Sequence, residues 1–174
     1  MIAENVIPHP SARPVRLSCA DTAKIMRAEL KAAFPGVKFS VRSSLFSMGS
    51  SIDVKWTDGP TQKAVDVIVN GFAACSFDGR DDSTHYNGPM VIGGRRMDSG
   101  AKYVGTERRY SLAFFSAVAA HVASTYGDAV PEIKLESDGA AYIPNNLRNY
   151  SDGNDATIAD RIYEAIQDSA EVSL

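Results

Sequence analysis

Residues 37–56 read VKFSVRSSLFSMGSSIDVKW, and this stretch decides the fold. Apolar residues fall at alternate positions in its first part, 37–41, and again in its last part, 52–56. A period of two is typical of a strand with one buried face. The segment 47–50 between them contains Gly and Ser and has the length of a hairpin loop. The stretch therefore predicts an antiparallel hairpin whose apolar face must be covered.

Helices are predicted on both sides of this hairpin. Ser18 to Asp21 has the S-x-x-D form of a capping box, and apolar residues then recur at helical spacing until Pro35-Gly36. After the hairpin, the turn 57–60 leads into a second helical stretch through residue 72, with Asp58 placed to cap that helix or offset its dipole. This order predicts a two-layer αββα core, that is, a helix–hairpin–helix arrangement.

The remainder of the chain predicts additional short strands and two more helices. The strand candidates are 90–92, 101–104, 132–135 and 140–143. The segment 107–126 is apolar nearly all round, which predicts a buried third helix that ends at Gly127. Residues 158–166 predict a final amphipathic helix with an acidic outer face. The predicted fold class is therefore α+β.

The domain organisation predicted from these elements has three parts. Residues 1–17 contain three prolines and form a flexible or draped arm. Residues 18–149 form a single α+β domain, which suits the total length of 174 residues. Residues 150–174 form an acidic C-terminal helix, packed on that domain or appended to it, with six acidic residues against one arginine.

The composition indicates an ordinary globular protein. The apolar fraction is 44% and the charged fraction 22%, and no apolar run is long enough to cross a membrane. The N-terminus lacks the order of a secretory signal, so we expect a cytoplasmic protein without a membrane partner. The net charge of −3 is not the footprint of a dedicated duplex DNA binder.

Neither the cysteines nor the histidines predict a metal or cofactor site. Cys19 and Cys75 have no CxxC spacing; we expect Cys75 to be a small core residue and Cys19 to be partly exposed. His9, His85 and His121 fall at no spacing that places two on one face. The acidic cluster Asp78, Asp81 and Asp82 lacks the spacing of a calcium loop and favours a tight turn. We therefore expect no metal and no cofactor.

The stretch 93–109, rich in Gly and Arg, carries the clearest functional pattern. Backbone amides freed by glycine and nearby guanidinium groups could hold phosphate, and Tyr103 or Tyr110 could stack on a base. A basic exposed loop that serves solubility or partner recognition is an equal alternative. The predicted partner-binding residues are Arg80, Arg95, Arg96, Lys102, Arg108, Arg109, Asp58, Asp78 and Asp82.

Several longer strings occur in a specific order along the chain. They are FPGVKFSVRS at 34–43, GSSIDVKWTDGPT at 49–61, SFDG at 76–79 with Asp82 and Tyr86, SGAKYV at 99–104 and RYS at 109–111. Together they resemble the large polyvalent protein-associated domain of the twenty-ninth type, over roughly residues 20–125. The resemblance implies an origin in phages or conjugative mobile elements and a role in protecting incoming DNA from host defence. It implies no reaction and no catalytic residue.

Three functions follow from these patterns as hypotheses. The first is a non-catalytic binding protein that recognises a host protein or nucleoprotein complex, with anti-CRISPR or anti-restriction activity as its sharpest form. Here an acidic helix could compete for a basic surface. The second is a nucleic-acid-binding accessory domain that uses the 93–109 stretch. The third is an enzyme built around Asp58, Asp78 and Asp82, because carboxylates in turns beside glycine recur in active sites.

Overall fold

The computed structural model describes residues 13–78, 80, 83–144 and 158–169. This part of the chain is mixed α+β, with four α-helices and several small sheets, in agreement with the predicted class. The helices are α1 (Cys19–Ala33), α2 (Gln62–Val69), α3 (Leu112–Tyr126) and α4 (Ile158–Asp168). The strands are β1 (Val15–Arg16), β2 (Ser40–Phe46), β3 (Gly49–Thr57), β4 (Cys75–Asp78), β5 (Ser83–Tyr86), β6 (Met90–Ile92), β7 (Arg95–Asp98), β8 (Tyr103–Arg109), β9 (Lys134–Leu135) and β10 (Ala141–Tyr142).

Helix α1 begins where the sequence pattern predicts. The Ser18 Oγ accepts a hydrogen bond from the Asp21 N–H at 3.0 Å, which satisfies one of the free amides of the first turn. The Asp21 carboxylate accepts from the Ser18 hydroxyl at 2.7 Å and from Lys24 Nζ at 2.9 Å. These two partners, the serine first, lower the pKa of Asp21. The predicted cap at Ser18 is confirmed.

The hairpin is present, and its strands are longer than predicted. Strands β2 and β3 pair antiparallel from Ser40↔Lys55 to Phe46↔Gly49. The connection is thus two residues, 47–48, rather than the predicted 47–50, because Ser50 joins the sheet and its Oγ donates to the Gly100 carbonyl at 2.7 Å. Ile52, Val54 and Trp56 are all buried, as the alternation predicts. Strand β8 pairs on the other side of β3, giving the order β2-β3-β8.

The other sheets are small, and the sequence predicted only some of their strands. One has the order β1-β7-β6, with β1 parallel and β6 antiparallel to β7. Strands β4 and β5 form one antiparallel pair and β9 and β10 another. The strand at 90–92 is confirmed, whereas β4, β5 and β7 were not predicted. The predicted arm, 1–17, contains strand β1, and its first twelve residues lie outside the described part of the chain.

The predicted start and full burial of the third helix are wrong. Helix α3 begins at Leu112, with the Ser111 Oγ accepting from the Phe114 N–H at 3.2 Å, and residues 107–109 belong to β8. Gly127, at φ +71°, ends the helix as predicted. Leu112 is 44% exposed, and His121 is also exposed, so α3 buries one side only.

The chain forms two compact units. The first consists of the described residues within Met1–Lys55 and Lys63–Glu107, and its fully buried side chains include Met26, Leu30 and Ile52. The second consists of Trp56–Gln62 and the described residues within Arg108–Leu174. In the core of the second unit, α4 packs on α3 through Ile162 and Ile166 of α4 and Phe115, Val118, Ala119 and Val122 of α3. None of the helices in the described ranges has the length and apolarity that crossing a bilayer requires.

The two cysteines exchange the positions that the sequence predicts for them. Cys19 is 5% exposed, and its thiol donates to the Ser51 carbonyl at 3.4 Å, whereas Cys75 is half-buried. Burial raises the pKa of the Cys19 thiol. The apolar run around residue 75 suggested the opposite arrangement, because it ends in a short strand rather than in a helix face.

This difference predicts selective thiol chemistry. At pH 8 and without denaturant, an aromatic disulfide reagent should react first with Cys75, and Cys19 should react only when the chain unfolds, because the thiolate is the reactive form and burial disfavours it. The released chromophore and the mass of the labelled peptides measure the order. The Cys75→Ser variant should lose the fast phase. Fast labelling of Cys19 in that variant would contradict the packing of α1.

Candidate functional site

The Gly- and Arg-rich stretch 93–109 does not form one exposed loop. Gly93 and Gly94, at φ +55° and +73°, make the two-residue turn between β6 and β7. Strand β7, a short connection and strand β8 follow. The glycines therefore serve chain reversal and close packing, and the basic residues are distributed over several surfaces.

Gly100 lies against the start of α1. A Cβ at this position would lie 2.3 Å from the Ser18 carbonyl carbon and 2.4 Å from the Cys19 nitrogen. The Gly100 N–H donates to the Thr22 Oγ1 at 3.0 Å, and the Lys102 N–H donates to the Ser50 Oγ at 3.0 Å. These amides are used inside the first unit, so the prediction that they hold a phosphate is wrong for residues 100 and 102.

Arg108 is a buried structural residue of the second unit. Its side chain is 7% exposed, and its guanidinium donates to four backbone carbonyls. The acceptors are Asp58 O at 3.3 Å, Gly59 O at 2.9 Å, Ile166 O at 3.1 Å and Ser169 O at 2.7 Å. The last two carbonyls lie at the C-terminal end of α4, where the helix dipole favours a positive charge.

The aromatic residues around Arg108 complete its surroundings. The guanidinium carbon lies 5.1 Å from the Tyr110 ring centre and 5.3 Å from that of Phe114. Burial lowers the pKa of Arg108, but an arginine stays protonated in proteins. Since all of this binding capacity is turned inward, Arg108 does not belong to the predicted partner-binding surface.

Two further predicted residues also have structural contacts in the second unit. Asp58, at φ +56°, accepts a hydrogen bond from the Ser111 N–H through its Oδ1 at 2.8 Å. It thus supports the residue that caps α3, rather than capping α2 as predicted, because the left-handed turn directs the chain away from α2. Arg109 forms a salt bridge with Asp138. These contacts leave Asp58 an acceptor in a turn and give no support to the carboxylate-centred enzyme.

Some predicted residues do share one surface in the first unit, which we call the arginine face. It comprises Arg16, Val91, Arg96 and Asp98, with the Tyr86 hydroxyl. The register pairs Val91 with Arg96 and Arg16 with Asp98, and laterally paired residues point to the same side of a sheet. The Tyr86 hydroxyl donates to the Asp98 Oδ1 at 2.8 Å, and this bond raises the pKa of Tyr86.

The remaining predicted basic residues lie elsewhere. Arg95 is exposed on the side of β7 opposite to Arg96, because side chains alternate along a strand. Lys102 lies beside the hairpin, with its Nζ 5.1 Å from the centre of the Tyr103 ring. Arg80 is exposed, whereas Asp82 and the side chain of Asp78 lie outside what the structure describes. The structure therefore does not bring the predicted set into a single cluster.

A surface that the sequence interpretation missed lies at the end of the β2–β3 hairpin. We call it the hairpin tip, and it consists of Leu45, Phe46 and Met48. Their exposed fractions are 78%, 48% and 82%. The signal was present in the sequence, since three large apolar residues flank a predicted turn, where polar residues are typical. Among the residues the structure describes, no group of three His, Cys, Asp or Glu could hold a metal ion.

The fold and these surfaces define a small mixed α+β protein with an exposed apolar tip and a basic sheet face. The chain belongs to the family described as Large polyvalent protein associated domain 29, whose family model matches residues 17–111. This confirms the resemblance, although the match ends at 111 rather than near 125. Membership indicates a protein associated with phages or mobile elements. No curated protein and no solved structure matches the chain.

Proposed function

We propose that this chain is a non-catalytic binding protein of a phage or mobile element. It acts in the host cytosol, where it binds a host protein or nucleoprotein complex and counteracts a defence system of the CRISPR or restriction type. We further propose that the αββα core, α1 to α2, is the scaffold that presents the binding surface. Membership of the family supports the origin, and the hairpin tip supports the binding role.

The hairpin tip is the observation that carries this proposal. Leu45, Phe46 and Met48 leave large apolar surfaces in water at one end of a seven-pair ladder. Burying one such side chain contributes about 1.5–3 kcal/mol, so neighbouring exposed apolar residues are typical of an interaction site. The tip is also supported from behind, because the Phe46 ring and the Lys102 stem both pack against Gly49. A rigid apolar projection of this kind suits a pocket on a protein partner.

Replacing the tip tests the proposal directly. In the double variant Leu45→Ser/Met48→Ser, partner binding should be lost while urea unfolding stays near that of the wild type, because both side chains are exposed. The matched control is Val67→Ser, which alters an equally exposed residue on α2, 78% accessible. Affinity capture from host lysate with quantitative mass spectrometry should show one stoichiometric protein with the wild type and the control, but not with the double variant.

A functional assay addresses the defence role. Host cells whose CRISPR or restriction system attacks a plasmid should accept that plasmid when they produce the wild type or Val67→Ser, and reject it when they produce the tip variant. A tip variant that protects the plasmid as well as the wild type would contradict the role of the tip. Failure of the wild type to protect against either system would contradict the defence role.

The arginine face favours nucleic-acid binding as a second function. Arg16 and Arg96 share this face with Tyr86, which is 62% exposed, and such a combination can contact phosphates and stack on a base. Fluorescence anisotropy of a labelled single-stranded 20-mer should then fall steeply with salt. The variant Arg16→Ala/Arg96→Ala should reduce the salt slope by about 2, one for each lost phosphate contact. The variant Arg95→Ala, on the opposite side of β7, is the control; equal effects of both variants, or none, would remove this function.

A further inference from the structure

A groove of about 360 Å³ lies in the first unit and is separate from the hairpin tip. Helix α1 contributes Glu29 to its lining, and strand β6 contributes Met90–Ile92. The end of α2 and the short 3-10 turn after it contribute Ile68, Gly71 and Phe72. The lining is therefore apolar apart from one carboxylate and the backbone of a strand.

Strand β6 is the end strand of its sheet, whose order is β1-β7-β6. The two-residue Gly93–Gly94 turn makes Ile92↔Arg95 a closely hydrogen-bonded pair. Hydrogen-bonded and non-bonded pairs alternate along an antiparallel ladder, so Met90 and Ile92 direct their backbone groups toward β7. The N–H and C=O of Val91 consequently point outward from the sheet. A further strand laid beside β6 can exchange hydrogen bonds with Val91.

The side chains along the groove define what such a strand must carry. Ile68, Met90 and Ile92 offer an apolar surface, which favours an apolar side chain of the ligand. Glu29 is the charged residue of the lining and lies on the exposed side of α1. A carboxylate beside an apolar slot is complementary to a lysine or arginine next to an apolar residue.

We propose that this groove binds an extended segment of a partner protein by strand addition to β6. The segment places an apolar side chain against Ile68 and Ile92 and a lysine or arginine against Glu29, and it exchanges backbone hydrogen bonds with Val91. This inference deepens the proposed function, on which it rests, because it names the kind of partner segment that is recognised.

Three single variants separate the components of this site. Gly71→Leu fills the groove, because a Cβ at this position meets nothing within 4 Å and the new side chain can enter the open space. Val91→Pro removes the outward N–H, and proline is tolerated at outward positions of an end strand. Glu29→Gln removes the charge and keeps the size. Val67→Leu, on the exposed side of α2 and outside the lining, is the matched control.

The probe is a displayed library of random linear 12-residue peptides, selected on the wild-type full chain. The enriched peptides should share an apolar residue one or two positions from a lysine or arginine. Anisotropy of the strongest peptide, labelled with fluorescein, should show an affinity lower by about two- to fivefold for Glu29→Gln. For Val91→Pro the loss should be about fivefold, the effect of one backbone hydrogen bond. Gly71→Leu should abolish binding, and Val67→Leu should leave it unchanged.

Two outcomes would overturn the proposal. One is a selection that enriches no peptide for the wild type over Gly71→Leu. The other is an enriched peptide whose affinity is the same for the wild type and Gly71→Leu, which would place its site elsewhere. Urea unfolding of each variant separates these outcomes from misfolding. Host-partner capture that depends on the hairpin tip but not on Gly71→Leu would retain the proposed function and remove the groove from it.

Discussion

Replacing Arg108 with methionine should lower the free energy of unfolding by about 3–5 kcal/mol, a value expected when one partner of a buried charged network is removed. The reason is the number of acceptors, since four backbone carbonyls receive their hydrogen bonds from this guanidinium. A buried polar group left without a donor costs about 1–3 kcal/mol, and methionine has no donor. Urea unfolding followed by circular dichroism measures the change.

Two matched variants show that the effect belongs to the fork of donors rather than to positive charge. Arg109→Met, one residue along β8, removes only the partly exposed salt bridge to Asp138 and should cost about 1 kcal/mol or less. Arg108→Lys keeps the charge but cannot reach carbonyls on both sides, so most of the loss should remain. If Arg108→Lys were as stable as the wild type, charge compensation alone would explain the site.

The contrast between Arg108 and Arg109 shows what the sequence can and cannot predict about this site. Both arginines read as basic residues of one exposed stretch. Alternation along β8 sends them to opposite sides, and their fates then depend on residues some fifty positions away, at the Asp58–Gly59 turn and in α4. No local pattern contains that information, because the acceptors are backbone carbonyls and carry no sequence signature.

The fold was more predictable wherever a local pattern sets the structure. The cap at Ser18, the alternation that buries Ile52 and Val54, and the stop at Gly127 each depend on residues within a few positions. Strands β4, β5 and β7 were missed because they are three or four residues long and mostly polar. Their pairing depends on tertiary partners rather than on their own alternation.

Gly100→Ala should be the most damaging single-methyl change, with an expected loss of about 3 kcal/mol in the free energy of unfolding. The added Cβ would lie 2.3 Å from the Ser18 carbonyl carbon, 2.4 Å from the Cys19 nitrogen and 2.6 Å from the Leu17 oxygen. These are backbone atoms at the start of α1, so no side chain can rotate away. Relief requires moving the helix start and weakens the Gly100 N–H bond to the Thr22 hydroxyl. Thermal and urea unfolding measure the loss.

Gly71→Ala is the matched control, because it adds the same methyl group to the same unit where nothing lies within 4 Å. Its stability should stay within about 1 kcal/mol of the wild type, since restricting the unfolded chain offsets small losses. Gly105→Ala provides an intermediate case, with only the Asp53 Oδ1 at 3.5 Å, an ordinary contact. The expected order of stability is therefore Gly71→Ala, Gly105→Ala and Gly100→Ala, from highest to lowest. Equal stability of all three would mean that the 99–101 connection does not press on the start of α1, and that the glycine there serves something other than packing.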